Sequence, residues 1–273
     1  MGNKSHRYQQ TCYSKERCQS SIWIFFNRRD DSGNCLYGDK VKVEFKGDEW
    51  LHHPDENVDL SILPVGPKLK KLGKNGENLF LSNDLYEIVP SNEDEWSRVG
   101  PLEDIVSIGY PNGLWDEHSN SPICRKGITA TFPKLNYHNK EEFVVDMPIY
   151  PGISGSPVYA YSFGMEYYEG GGWGQGSKCL LIGILYGGLK YKIGRQGADL
   201  YLIPTTEDTA HVHEYLSNLG VAIKSSRLKD FENVLEHTLD DDDKEWMRKG
   251  ESYTNRNNPC KNNGPSSTAN KLL

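Results

Sequence analysis

Apolar and polar residues alternate with a period of two in short pieces along most of the chain. The pieces begin with "SIWIFF" at Ser21, "VKVEF" at Val41, "DLSILPV" at Asp59 and "DIVSIGY" at Asp104. They continue with "GITATF" at Gly127, "EFVVDM" at Glu142, "SPVYAY" at Ser156, "CLLIGILYGG" at Cys179 and "DLYLIP" at Asp199, separated by Asn, Gly, Pro and Asp clusters. Period-two alternation of β-branched and aromatic residues puts successive side chains on opposite faces, so each piece predicts a strand, and many short strands predict a sandwich or barrel. The loop "EGGGWGQGSK" joins two of these strands and opens no helix, which predicts a mobile hairpin rather than a phosphate cradle.

After Pro204 the period lengthens. In "TTEDTAHVHEYLSNLG", Ala210, Val212, Tyr215, Leu216 and Leu219 share roughly one helical stripe, with Thr205 or Thr206 to cap its start and Gly220 its end. A second helix is predicted in "SSRLKDFENVLEH", where Leu228, Phe231, Val234 and Leu235 form the apolar face. Both are expected to pack against the strands. Beyond Leu239, "DDDDKEW" and an Asn-rich terminus offer too little apolar area to offset the entropy of ordering, which predicts a disordered polar tail.

The formal charge of −7 disfavours a nucleic acid or an anionic membrane as partner, because such binding needs Lys and Arg clustered on one face. No run approaches the length of a membrane span, and "MGNKSHRYQQ" has no apolar signal core, so a cytoplasmic protein is expected. The six cysteines contain no Cys-x-x-Cys pair, as expected of reduced thiols. His211 and His213 stand two apart on an expected helix and point to different faces, while His52 and His53 are adjacent on an expected loop. No metal or other cofactor is implied.

One stretch carries chemistry. "DMPIYPGISGSPVYAYSF" from Asp146 sets Ser154 between Gly152 and Gly155, ahead of Pro157 and an alternating strand. A serine hydroxyl attacks a carbonyl usefully only where a base takes its proton and donors hold the oxyanion that forms. Two residues without Cβ let the backbone make a strained turn that aims the N–H groups of Gly152 and Ser154 at one point. A Gly-x-Ser-x-Gly elbow would enter a helix, whereas here position 156 is Ser and a strand follows. The order His, Asp, Ser fits better.

On these residues, together with "HPDENVDLSILPV" from His53, "IGYPNGLWDE" from Ile108, "RKGITATFP" from Arg125 and "LIGILYGG" from Leu181, the chain resembles the trypsin-like serine peptidases over about 3–239. The likeness is to the bacterial branch whose serine motif reads Gly-x-Ser-Gly-Ser-Pro. It implies a mostly β double antiparallel barrel with one or two C-terminal helices. A partial N-terminal barrel over 1–100 would carry the His and Asp, because the family's first strands are missing before His6. A second barrel over 101–204 would carry the serine, followed by helices over 205–239 and the polar tail over 240–273. The resemblance makes Ser154 the nucleophile, Gly152 and Ser154 the oxyanion donors, and Asp59 the orienting carboxylate. His6, in "GNKSHRY", is the implied general base, with Ser5 inserted into the family's Asn-Lys-His tripeptide.

Further implications concern the substrate. Ile153 stands where secreted relatives carry an aspartate that pairs with a newly cut N-terminus, so zymogen activation of that kind is not expected. Tyr186 stands where the family often has a small serine. The "LIGILYGG" strand matches the one that pairs with an extended substrate, and Gly187 and Gly188 are expected to leave its edge open. A serine endopeptidase acting on peptide or protein substrates follows from the resemblance. Two other classes stay open: an inactive peptidase-like interaction module, and an esterase using Ser154 with Asp199 and His211. Cleavage preference and oligomeric state are not legible.

Overall fold

A computed structural model describes residues 21–80, 89–90, 92–168, 172–194, 197–204 and 215–244. Its centre is a closed ring of six antiparallel strands. These are β5 (Asp104–Gly109), β6 (Ile123–Thr129), β7 (Glu142–Asp146), β8 (Pro157–Tyr168), β9 (Gly172–Gly194) and β11 (Tyr215–Lys224). The hydrogen-bonded order runs β9-β11-β7-β6-β5-β8 and returns to β9, so the barrel has no open seam. β10 (Gly197–Pro204) lies outside the ring on the far half of β9.

The alternation read from the sequence points into this barrel. Ile105, Phe143, Val145, Val158, Ala160, Ile182, Leu185 and Ala222 form one core with Met147, Ile149 and Ile153 from the loop after β7. Fully burying each large aliphatic or aromatic side chain stabilises by about 1.5–3 kcal/mol, against a net ~1 kcal/mol for a ladder hydrogen bond. Side-chain burial therefore outweighs the ladder, bond for bond, in holding the barrel shut. Glycines relieve its tightest points: a Cβ on Gly183 would stand 2.6 Å from Phe143 and 2.7 Å from the Ile223 carbonyl.

Three expectations change. The described N-terminal residues form no second barrel. β1 (Ile22–Arg29) forms its ladder with β2 (Cys35–Phe45), adding a single bridge from Arg28 to Leu79, and β3 (Leu51–His52) pairs with β4 (Ser61–Ile62), giving two separate two-stranded sheets. A 3-10 turn at Gly47–Glu49 precedes the smaller sheet and helix α1 (Gly66–Lys74) follows it. The β1–β2 hairpin docks instead on the loop before β6, where Lys40 donates to the Glu117 carbonyl at 2.9 Å and Asn120 to the Phe25 carbonyl at 3.2 Å.

The first C-terminal helix is also corrected. Tyr215, Leu216 and Leu219 lie on strand β11, with 205–214 outside the described residues. β11 fills the gap between β7 and β9, and closing the barrel overrides a helical stripe of weak propensity. The barrel thus extends past residue 204. Gly220, expected as a helix cap, is a buried strand glycine whose Cβ would stand 2.6 Å from Ile149. The second helix forms as a 3-10 stretch Ser225–Phe231 running into α3 (Glu232–Thr238), with Leu228, Phe231 and Leu235 on its packed face.

The described part of the tail is ordered: residues 241–244 make a helical turn, and Lys70 of α1 donates to Asp242 at 2.6 Å and to Asp243 at 3.2 Å. A short α2 (Glu93–Ser97) is capped by Asn92, whose side chain accepts from the Glu95 N–H at 2.9 Å. Among the described residues no helix is long and apolar enough to cross a membrane.

Overpacking a filled core costs about 1–3 kcal/mol. Gly183→Ala is expected to lose about that much in denaturant unfolding, while Gly76→Ala, with no neighbour near its Cβ, loses only the strain of its positive φ. Equal losses at the two positions would contradict this picture of the barrel core.

Candidate active site

Ser154 lies on a double turn between β7 and β8. The Ile153 N–H donates to the Tyr150 carbonyl at 3.3 Å, and the Ser156 N–H donates to the Ile153 carbonyl at 3.0 Å. The third residue of each turn is a glycine at positive φ, Gly152 at +83° and Gly155 at +85°, as a type II turn requires. Pro151 presets the second position of the first turn. Ile153, at the junction, is buried in the barrel core and anchors the loop, leaving Ser154 exposed beside it. The Gly155 N–H donates to the Leu185 carbonyl at 2.8 Å and the Leu185 N–H to the Ser156 carbonyl at 2.9 Å, which clamps the turn to β9. β8 then begins at Pro157, so a strand follows the serine as the sequence predicts.

The amide directions follow from these bonds. The Pro151 carbonyl accepts from the Asn112 N–H at 2.7 Å. In a trans peptide the C=O and N–H point opposite ways, so the Gly152 N–H faces away from Asn112. The Ile153 carbonyl is likewise turned to Ser156, which leaves the Ser154 N–H on the other side of its peptide. Among the described residues neither amide donates to a backbone carbonyl. Both donors remain unspent, as an oxyanion site needs.

The Ser154 hydroxyl donates to the Tyr186 carbonyl at 3.0 Å. Tyr186 is the extra residue of a β-bulge: Leu185 opposes Ala222 and Gly187 opposes Val221. At this bulge its carbonyl accepts the serine hydroxyl.

Asp59 is half-buried just before β4. Val58 and Leu60, on either side of it, join one apolar cluster with Ile184 and Tyr186 of β9 and with Ile223 and Phe231. The structure thus brings the Asp59 segment against the strand whose Tyr186 carbonyl accepts the Ser154 hydrogen bond, although no hydrogen bond joins Asp59 to Ser154. Among the described residues none donates to the Asp59 carboxylate. His6 lies outside the described residues, as does His211. Asp199 is on β10, and its side chain is not among those described.

Gly187 and Gly188 do not leave an open edge. β11 pairs with them on one side and Pro204 and Ile203 of β10 on the other. Gly188 meets a packing need instead, since a Cβ there would stand 2.9 Å from Ile149.

His53, read as a loop residue, has a side chain only 1% exposed. Its Nδ1 accepts from the Asp55 N–H at 3.0 Å, which puts the proton on Nε2, 3.0 Å from the Asp230 carboxylate. Arg227 reaches Asp55 at 3.1 Å, Glu141 at 2.6 Å and Asp230 at 3.0 Å. These contacts fasten the segment bearing Asp59 to the 3-10 stretch behind it. The amide and side chain of Asn57 hold Asp55 below the usual carboxylate range, with Arg227 adding to the effect. No sequence signal links Arg227 to Asp55, 172 residues away. His52 is exposed, with Nδ1 2.9 Å from the Ser61 hydroxyl.

On the barrel wall, Glu142 is half-buried, with the Lys140 ammonium 3.8 Å away. Burial raises its pKa, against the opposing pull of Tyr186, Lys140 and His138.

Comparison of the chain with protein-family models, with curated proteins and with solved structures found no match, so the chemistry of the site is read from its geometry.

Two outcomes are expected here. Arg227→Ala removes hydrogen bonds between charged groups, and is expected to cost on the order of 2 kcal/mol and to speed amide exchange in 53–62. Unchanged exchange there would sink the fastening role. A carboxyl whose folded pKa is raised contributes most stability below its unfolded value and loses it as pH rises through the folded value. Wild type is therefore expected to lose melting temperature relative to Glu142→Gln as pH rises from about 4 to 7, starting near the ordinary Glu pKa. A constant difference across that range would refute it.

Proposed function

We propose that the protein is a serine endopeptidase that hydrolyses peptide bonds through an acyl-enzyme on Ser154. The observation that carries this reading is the double turn. It leaves Ser154 exposed, with the amides of Gly152 and Ser154 unspent, next to a docked segment that bears a half-buried carboxylate, Asp59.

In this mechanism His6 takes the Ser154 proton as Oγ attacks the scissile carbonyl, and the carbonyl π electrons move onto the oxygen. The Gly152 and Ser154 N–H groups stabilise that oxyanion. Collapse expels the amine, which leaves with the proton held by His6, and water repeats the cycle to release the acyl group. Asp59 orients the imidazole and stabilises its protonated form. The Ser154 hydroxyl must first leave the Tyr186 carbonyl and turn toward the base, a single χ1 rotation. No cofactor takes part.

Labelling with a fluorophosphonate and cleavage of a mixed peptide library test the reading together. Wild type is expected to label at Ser154 and to cut internal peptide bonds, Ser154→Ala to do neither, and Asp59→Asn to turn over about 10⁴-fold more slowly. Folded wild-type protein that neither labels nor cleaves would make the chain an interaction module instead. Loss of activity in a His211 variant with His6 dispensable would favour the esterase.

A further inference from the structure

We propose that Asn112 is a positioning residue: its backbone N–H selects, between two orientations of the Pro151–Gly152 peptide, the one that faces the Gly152 N–H toward the substrate. The catalytic part of this inference rests on the peptidase reading above.

The turn that holds this peptide is built to take either orientation. Residues 150–153 form a β-turn closed by the Ile153 N–H on the Tyr150 carbonyl at 3.3 Å, with proline second and glycine third. Type I and type II turns share that closing bond and differ by about half a rotation of the central peptide, which exchanges the sides of its C=O and N–H. Proline at the second position suits both types, and glycine at the third takes φ of either sign. Gly152, at +83°, stands in the type II state. The second turn has no such freedom, because the N–H of its central peptide, that of Gly155, is held by the Leu185 carbonyl at 2.8 Å.

The loop 110–114 holds the first turn. Its Asn112 N–H donates to the Pro151 carbonyl at 2.7 Å. In the type I state that carbonyl would point into the oxyanion site, and the Gly152 N–H would turn to Asn112, donor against donor. The open state therefore has a short bond that the closed state loses, which tilts their ratio by roughly tenfold. The loop is shaped to present this donor. Pro111 is buried, the Gly113 N–H donates to the Tyr110 carbonyl and the Leu114 N–H to the Pro111 carbonyl, both at 2.9 Å, and Asn112 between them is left-handed at φ +52°. Asparagine adopts that region more readily than other side chains do, and β-branched residues least. The fit is close, since a Cβ on Gly152 would stand 2.9 Å from the Tyr110 carbonyl and 3.5 Å from the Asn112 nitrogen.

The test uses Asn112→Gly, which keeps both the N–H and the left-handed backbone, and Asn112→Val, which keeps the N–H but strains that backbone. The nuclear Overhauser contact between the Pro151 Hα and the Gly152 N–H reads the turn directly, being strong in type II and weak in type I. The fluorophosphonate labelling rate of Ser154 reads the oxyanion site. Wild type and Asn112→Gly are expected to show the strong contact and to label alike. Asn112→Val is expected to show a weakened contact and to label roughly tenfold more slowly, in proportion to the closed population. Should Asn112→Val not fold, Asn112→Ala takes its place, with a smaller loss expected in both readouts. A strong contact in a slowly labelling Asn112→Val would overturn the inference, as would wild-type values of both readouts there, or Asn112→Gly as impaired as Asn112→Val. If wild type fails to label, the peptidase reading falls separately and the contact alone decides: weakened in Asn112→Val and kept in Asn112→Gly it supports the role of Asn112, and unchanged in both it overturns that role.

Discussion

The docking of one short segment on the barrel determines what the rest of the site can do. Residues 53–60 belong to neither the six-stranded ring nor the β1–β2 hairpin, yet they carry Asp59. Two forces hold them: burial of Leu60 against Ile223 and Phe231, and the buried His53 imidazole between the Asp55 amide and Asp230, reinforced by Arg227. The first is non-directional and sets affinity. The second is directional and sets register, because both imidazole nitrogens and the two terminal guanidinium nitrogens each meet a fixed partner. Without that register the apolar contact alone would let the segment slide, and Asp59 would have no fixed place beside β9.

The serine turn is built the opposite way, from the barrel outward. Ile153 is sunk in the core, Leu185 clamps the turn by two backbone bonds, and Asn112 takes up the Pro151 carbonyl. Each of these spends a backbone group or side chain facing the protein and leaves the Gly152 and Ser154 amides facing out. Preorganised donors of this kind need no reorganisation when charge develops, which is where electrostatic catalysis gains most. Loosening either half, segment or turn, would leave residues of the right kind at the wrong distances.

Much of the barrel was legible because its strands must alternate: Ile105, Phe143, Val145, Val158 and Ile182 sit where the period-two reading placed apolar residues facing a core. Strand β11 was not. Leu216 and Leu219 fit a helical stripe as well as a strand, and the deciding constraint, closure between β7 and β9, lies outside any local window. A second barrel came from likeness to a family rather than from residues, and the described N-terminal strands pair differently. At the site, the turn glycines could be read because a positive φ at the third turn position has one cheap solution. The role of His53 could not, since its partner Asp230 is 177 residues away, and the bulge at Tyr186 exists only relative to β11. The open edge expected at Gly187 and Gly188 failed because glycine serves close packing as readily as exposure.

The proposed mechanism requires an imidazole, that of His6, to bridge Asp59 and Ser154. Far-downfield proton NMR addresses it directly, since an imidazole N–H bonded to a carboxylate and shielded from water gives a distinct, slowly exchanging signal. The account expects one such signal to disappear in both His6→Ala and Asp59→Asn, while any signal from His53 bonded to Asp230 persists in both. A spectrum that neither substitution changes would contradict it.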